Sequence, residues 1–197
     1  MLNRRILRTK VFKTIYSYAE NPGMTLKEAE ATLGLACEST RDLYLFLLSV
    51  VGPLTDEARS RIEAARAKFN PTEEEMNPNM KFVDNSITKL LEDDPDFVKL
   101  VSKKLSWAQH DVLIRRLYES VRERKYFKEY LASPESGVKE DAKLWVKIFQ
   151  REFEDNEALG EILEEMSIYW NDDLGYALSW CCRSVRSLGD GDRWNLP

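Results

Sequence analysis

Residues 1–19 read MLNRRILRTKVFKTIYSYA and carry five basic side chains, Arg4, Arg5, Arg8, Lys10 and Lys13, with no acidic one, in a 197-residue chain whose formal net charge is -5. At 3.6 residues per turn, Leu7, Val11, Ile15 and Tyr18 form one apolar stripe, while Arg5, Thr9, Lys13 and Ser17 point the other way. The spacing predicts a first helix that presses this stripe into a core and holds its arginines toward an anion. Arg4 and Arg8 sit one turn apart beside the stripe, and guanidinium forks match phosphate better than ammonium groups do. The competing reading is a solvated basic face over a core, which composition alone favours. A targeting peptide fits poorly, because the helix runs on into a domain with no uninterrupted apolar region before a cleavage site.

The rest of the chain extends the helical reading. Hydrophobic residues make up 43% and charged residues 32%, with only 8 Gly and 7 Pro, and long blocks rich in Ala, Leu, Glu, Lys and Arg leave few places for a sheet. The fold class expected is all-α, a multi-helix bundle of about eight or nine helices. Asn21, Pro22 and Gly23 stop the first helix, and Thr25 with Glu28 form a capping-box pattern that starts a short second one ending near Gly34. A core helix is expected from Glu38 to Val51, interrupted by Gly52 and Pro53, and another from about Thr55 to Phe69. In the latter, Arg59, Arg61, Arg66 and Lys68 are candidates for a second basic patch. Residues 71–79, PTEEEMNPN, read as an exposed linker between an N-terminal region, 1–70, and a second helical region, 80–197, packed on the first.

In that second region the spacing predicts helices from Phe82 to Glu92, from Asp96 to Leu105, and a long one capped near Ser106 and Gln109 that reaches Leu131. Further helices follow over Lys139 to Phe153, after Asn156, and through Leu178 to Val185. On the long helix, opposite charges at Arg115, Glu119 and Arg122 mark a solvated face. The expected core includes Val11, Ile15, Leu47, Leu117, Phe149 and Trp170.

The run Arg4, Arg5, Leu7, Arg8, Val11, Lys13, Ile15, Tyr16 resembles the opening helix of the NusB family of bacterial transcription antitermination factors, R-R-x-A-R-x-x-A-x-Q-x-L-Y. Leu7 and Val11 stand where the family has alanine, and Lys13 where it has glutamine. Asp42, Tyr44, Leu48 and Gly52 fall where the family follows with an acidic residue, an aromatic, a leucine and a glycine. A looser block is formed by Asp141, Trp145, Phe149, Asn156, Leu159, Ile162, Trp170 and Leu174, with Asp173 in place of an arginine. If both blocks hold, residues 42–69 and 141–170 are degenerate copies of one helical hairpin. Nothing here is similar to the family's late segments, so the chain resembles the leading part of long, Bacteroidetes-type NusB-like proteins, with the C-terminal family domain missing. What the resemblance implies is a cytoplasmic, RNA-binding factor that recognises boxA-type RNA together with the ribosomal protein NusE in a transcription complex. Arg4, Arg5, Arg8, Lys10 and Lys13 would contact its phosphates.

Chemistry for catalysis is sparse. His110 is the single histidine, which argues against histidine metal clusters and His-dependent triads, and no glycine-rich phosphate loop is present. Asp93 with Asp94 and Asp172 with Asp173 are read as helix-capping residues rather than cation ligands. Cys37, Cys181 and Cys182 form neither a disulfide framework nor a zinc spacing and are read as reduced, buried thiols. No enzyme, cofactor or metal is expected. No apolar run approaches the roughly 20 residues needed to cross a bilayer, so no membrane partner is expected either. The alternative to RNA binding is a helical protein-interaction module without RNA affinity. A truncated domain would also leave Trp180 and Trp194 exposed as a patch for self-association.

Overall fold

The structure, a computed structural model, describes residues 2–101, 105–170 and 172–196. Those residues form an all-α bundle of eleven helices: α1 Arg4–Glu20, α2 Leu26–Leu48, α3 Val51–Arg66, α4 Glu73–Met76, α5 Ser86–Glu92, α6 Pro95–Val101, α7 Asp111–Glu123, α8 Lys125–Ala132, α9 Val138–Glu152, α10 Glu157–Met166 and α11 Leu174–Gly189. The expected class is the one observed, and short segments such as the single turn α4 raise the number above the eight or nine anticipated. Residues 102–104, which the sequence reading carried into the helix after Asp96, lie outside the described residues.

Helix α2 is the axis. Its start follows the sequence: Thr25 accepts the Glu28 N–H and the Glu28 carboxylate accepts the Thr25 N–H, a complete capping box. It does not stop near Gly34, however, and continues for 23 residues to Leu48. A glycine inside a helix costs about 1 kcal/mol relative to alanine, which the burial of α2 further along, from Leu43 to Leu48, outweighs. From Leu43 to Leu48 all six side chains are buried, so α2 is enclosed on every side there. Trp107 stacks on Phe46 with ring centroids 4.1 Å apart and donates from Nε1 to the Phe46 carbonyl at 2.9 Å. The α2–α3 junction falls at Ser49 and Val50, and Pro53 sits in the first turn of α3, where a missing N–H is tolerated.

Helix α11 packs on both α9 and α2, and α3 packs on α7, so segments on the two sides of residues 71–79 share one core. The expected single helix from Ser106 to Leu131 is broken at Arg124, whose extended backbone (φ -70°, ψ 139°) separates α7 from α8. The break lets the Arg124 guanidinium clasp Glu152 of α9 with contacts of 2.8 and 3.1 Å, while Ser120 and Tyr126 donate hydroxyls to the same carboxylate. Burial pushes the Glu152 carboxyl up, but these donors outweigh it and hold the group below the ordinary carboxylate range.

The core expectation holds for Leu47, Leu117, Phe149 and Trp170, all buried, and fails for Val11 and Ile15, which are 39% and 60% exposed. The tryptophan patch also fails. Trp180 and Trp194 are buried, with Trp194 Nε1 donating to the Tyr44 hydroxyl at 2.8 Å and its ring edge-on to Phe97. Cys181 and Cys182 are buried free thiols, and burial raises both pKa values, which suits inert packing residues. His110 is half-buried, edge-on to Phe46 and Trp107.

Candidate nucleic-acid interface

Helix α1 begins at Asn3, whose Oδ1 accepts the Ile6 N–H at 2.9 Å and whose own N–H reaches the Tyr176 hydroxyl of α11 at 2.9 Å. The helix then lies along α2, rotated by roughly 75° about its axis from the expectation of its amphipathic pattern, with Arg5, Thr9 and Lys13 exposed as expected. Its buried residues are Lys10 and Thr14, and none of its apolar side chains is among them. The stripe Leu7, Val11, Ile15 and Tyr18 faces solvent to a large degree, with Leu7 at 38% and Tyr18 at 41% exposure.

The cause is a buried carboxylate. Asp173 is 3% exposed, and its Oδ2 accepts from Lys10 Nζ at 2.6 Å and from Thr40 Oγ1 at 2.6 Å. Removing one partner of a buried pair costs about 3–5 kcal/mol, because the other charge is left uncompensated in a poorly solvated site. Turning the Leu7 stripe inward would withdraw Lys10 from Asp173. In exchange the stripe would meet a stretch of α2 whose buried residues are the small Ala29 and Ala36, so little additional apolar area would be covered. The ion pair decides the orientation. Asp173 is thus not a helix cap, as its position before α11 had implied: no side-chain cap bond forms there. Its neighbour Asp172 pairs with Lys13, an exposed contact. The reading of Asp94 as a cap is confirmed, since its Oδ1 accepts the Asp96 and Phe97 N–H groups.

Of the five basic residues singled out in the sequence, two are therefore committed within the chain. Lys10 is 6% exposed and anchors the helix, so it is not offered to a phosphate, and Lys13 is engaged by Asp172. Arg4, Arg5 and Arg8 are exposed and form no ion pair among the described residues. Along the outward side of α1 they are followed by Phe12, 69% exposed, and Tyr16, 60% exposed. The rotated helix thus presents three guanidinium groups without an ion pair and two aromatic rings on one continuous surface. Phe12 lies outside the Leu7 stripe, although its place in the turn after Arg8 is legible in the sequence.

The other proposed basic patch is largely neutralised. Arg59 pairs with Asp56, Arg61 with Glu57 and Glu119, and Lys68 with Glu75, leaving Arg66 as the exposed member without an ion pair among the described residues. Arg115, Glu119 and Arg122 form an exposed face on α7 as expected, but they do not pair with one another: Arg115 pairs with Asp111 at 3.1 Å, Glu119 with Arg61 of α3 and Arg122 with Glu123. Among the described residues no group of three or more His, Cys, Asp or Glu side chains could hold a metal ion, and no helix is long and apolar enough to cross a membrane. No family model, curated protein or solved structure matches the chain.

Proposed function

We propose that the chain binds single-stranded RNA along the outward face of α1, as an antitermination factor of NusB type that would take boxA-type RNA together with the ribosomal protein NusE. The observation that carries this reading is the juxtaposition of unpaired Arg4, Arg5 and Arg8 with exposed Phe12 and Tyr16 on one helix face. Arginines supply phosphate contacts whose free energy comes from counterion release, and aromatic rings offer platforms on which unpaired bases stack. The anchor beneath, Lys10 on Asp173, holds the helix so that both groups face outward. The resemblance of the first helix to the NusB pattern supports the choice of boxA-type RNA over other single strands.

The test is a titration of a boxA-type RNA over a range of salt concentrations, comparing the wild-type chain with the triple variant Arg4→Ala, Arg5→Ala, Arg8→Ala. Three lost phosphate contacts on a single strand should flatten the slope of log K against log salt by about 2 and weaken binding at low salt. The side chains are exposed, so melting should be unchanged within about 0.5 kcal/mol. A normally folded variant with unchanged affinity and slope would overturn the proposal. A second reading, a protein-interaction module, is favoured by the exposed Val11 and Ile15 on the same helix and by Ile168, 77% exposed. It would be supported if the wild-type chain binds no RNA at low salt.

A further inference from the structure

A second basic surface lies at the other end of α11. Lys139, Lys143 and Lys147 recur every four residues along α9, a step of about 6 Å, and with Arg186 of α11 they rim a groove of about 510 Å³ floored by Ala142 and Val146. Gly189 keeps the two helices this close: a Cβ there would lie 2.6 Å from the Ala142 Cβ. The rim is consequently mounted on two core helices rather than on a loop. Its four cations face Asp190, 4.0 Å from Lys139 in an exposed pair, and the half-buried Glu140, 3.0 Å from Lys143, with Glu135 also within electrostatic reach of Lys143. Lys147 and Arg186 have no ion-pair partner among the described residues. In a chain of net charge -5, such an excess is local and not a general property of the surface.

We infer that this α9–α11 groove is a second track for the phosphate backbone of a single-stranded RNA, an extension that rests on the RNA reading of α1. The form of the site points to a linear polyanion. The Lys139 and Lys143 side chains are 77% and 67% exposed, so they remain hydrated and gain from displaced counterions, whereas a compact ligand would need polar groups converging in an enclosed pocket. The cations form a row along the helix axis, as successive phosphates do along a strand. The 16 residues of α11 separate this rim from Asp173, where α1 is anchored, by about 24 Å, so an RNA of about four nucleotides, spanning roughly 18 Å, does not bridge the two, and a long one spans that distance.

The experiment uses the full 197-residue chain, an unstructured RNA of about 24 nucleotides and one of about 4, the lower end of single-strand site sizes. The variant is Lys139→Gln, Lys143→Gln, Lys147→Gln, which removes three charges and keeps good helix formers. Expected is a loss of about tenfold in affinity for the 24-mer at low salt, a salt slope flatter by about 2, and an unchanged affinity for the 4-mer. Unchanged binding of the 24-mer by a variant with normal melting would overturn the inference while leaving the α1 reading intact. Loss of 24-mer binding in this variant, together with no loss in the arginine variant of α1, would keep the groove as an RNA site and overturn the α1 reading. Failure of the wild-type chain to bind the 24-mer at low salt would remove both. Oligoglutamate bound by the wild-type chain and lost in the lysine variant, with RNA binding unaffected, would assign the groove to an acidic protein partner instead.

Discussion

Helices α1 and α11 both lie against α2, and they hold to it by opposite means. α11 buries Ala177, Leu178, Trp180, Cys181, Cys182, Val185 and Leu188, so its attachment is distributed over many apolar contacts. α1 buries Lys10 and Thr14 and depends on a polar anchor at Asp173 together with smaller contacts at Asn3 and Lys13. Distributed apolar packing is tolerant of any one loss and insensitive to salt. An anchor concentrated in one buried pair leaves the rest of the helix free to present whatever side chains it carries, at the cost of resting on a single interaction. The region attached in this second way is also the one proposed to bind RNA.

The comparison breaks first in the apolar region. Phe149, fully buried on α9, should cost about 4 kcal/mol when replaced by alanine, from lost transfer free energy and the cavity left behind. Urea unfolding followed by tryptophan fluorescence should show one transition at lower midpoint, and a midpoint close to wild type would mean the core re-collapses around the gap. Next is the anchor. Lys10→Ala leaves Asp173 with only Thr40 and should cost about 3 kcal/mol, concentrated in α1. Hydrogen exchange should show α1 amides losing protection while α9 and α11 keep theirs, because an isolated 17-residue helix is marginal in water. Equal losses in all three helices would show that α1 is part of the same cooperative unit.

Smaller still is the effect of acid on Glu152. Its carboxyl titrates below the ordinary range in the folded chain, so its contribution is present at neutral pH and lost as pH falls through that depressed value. Glu152→Gln should melt lower than wild type at pH 7, and the gap should narrow as the pH is taken below the ordinary carboxylate range. A gap independent of pH would mean that the charge of Glu152 contributes nothing. Smallest is Ile15→Gln, which at 60% exposure should change stability by less than about 0.5 kcal/mol, although its place in the apolar stripe would have predicted a core-sized loss. A loss above 2 kcal/mol would show that α1 turns its apolar stripe inward in solution.

How much was legible can be argued from these same residues. The helical class, the capping box at Thr25 and Glu28, and the burial of Leu47, Leu117 and Phe149 all follow from local patterning, because cap chemistry and 3.6-residue periodicity act over one or two turns. The break at Arg124 did not follow, since it depends on Glu152 in another helix, and the passage of α2 through Gly34 did not follow, since the cost of the glycine is offset by packing further along the helix. The lysine row of α9 is visible as a spacing, but the groove needs Arg186 and the close approach at Gly189.

For α1 the division is sharpest. By itself the sequence determined that residues 4–20 are a helix, that its charge is positive, and that arginines occupy its first turns. Which side of that helix faces water was decided only by the tertiary structure. Amphipathicity assumes that apolar area is the largest free energy at stake along a helix, and it is blind to a buried carboxylate 163 residues away. Once α2 and α11 enclose Asp173, a cation must reach it, and Lys10 does so by turning Leu7, Val11 and Ile15 outward beside the arginines.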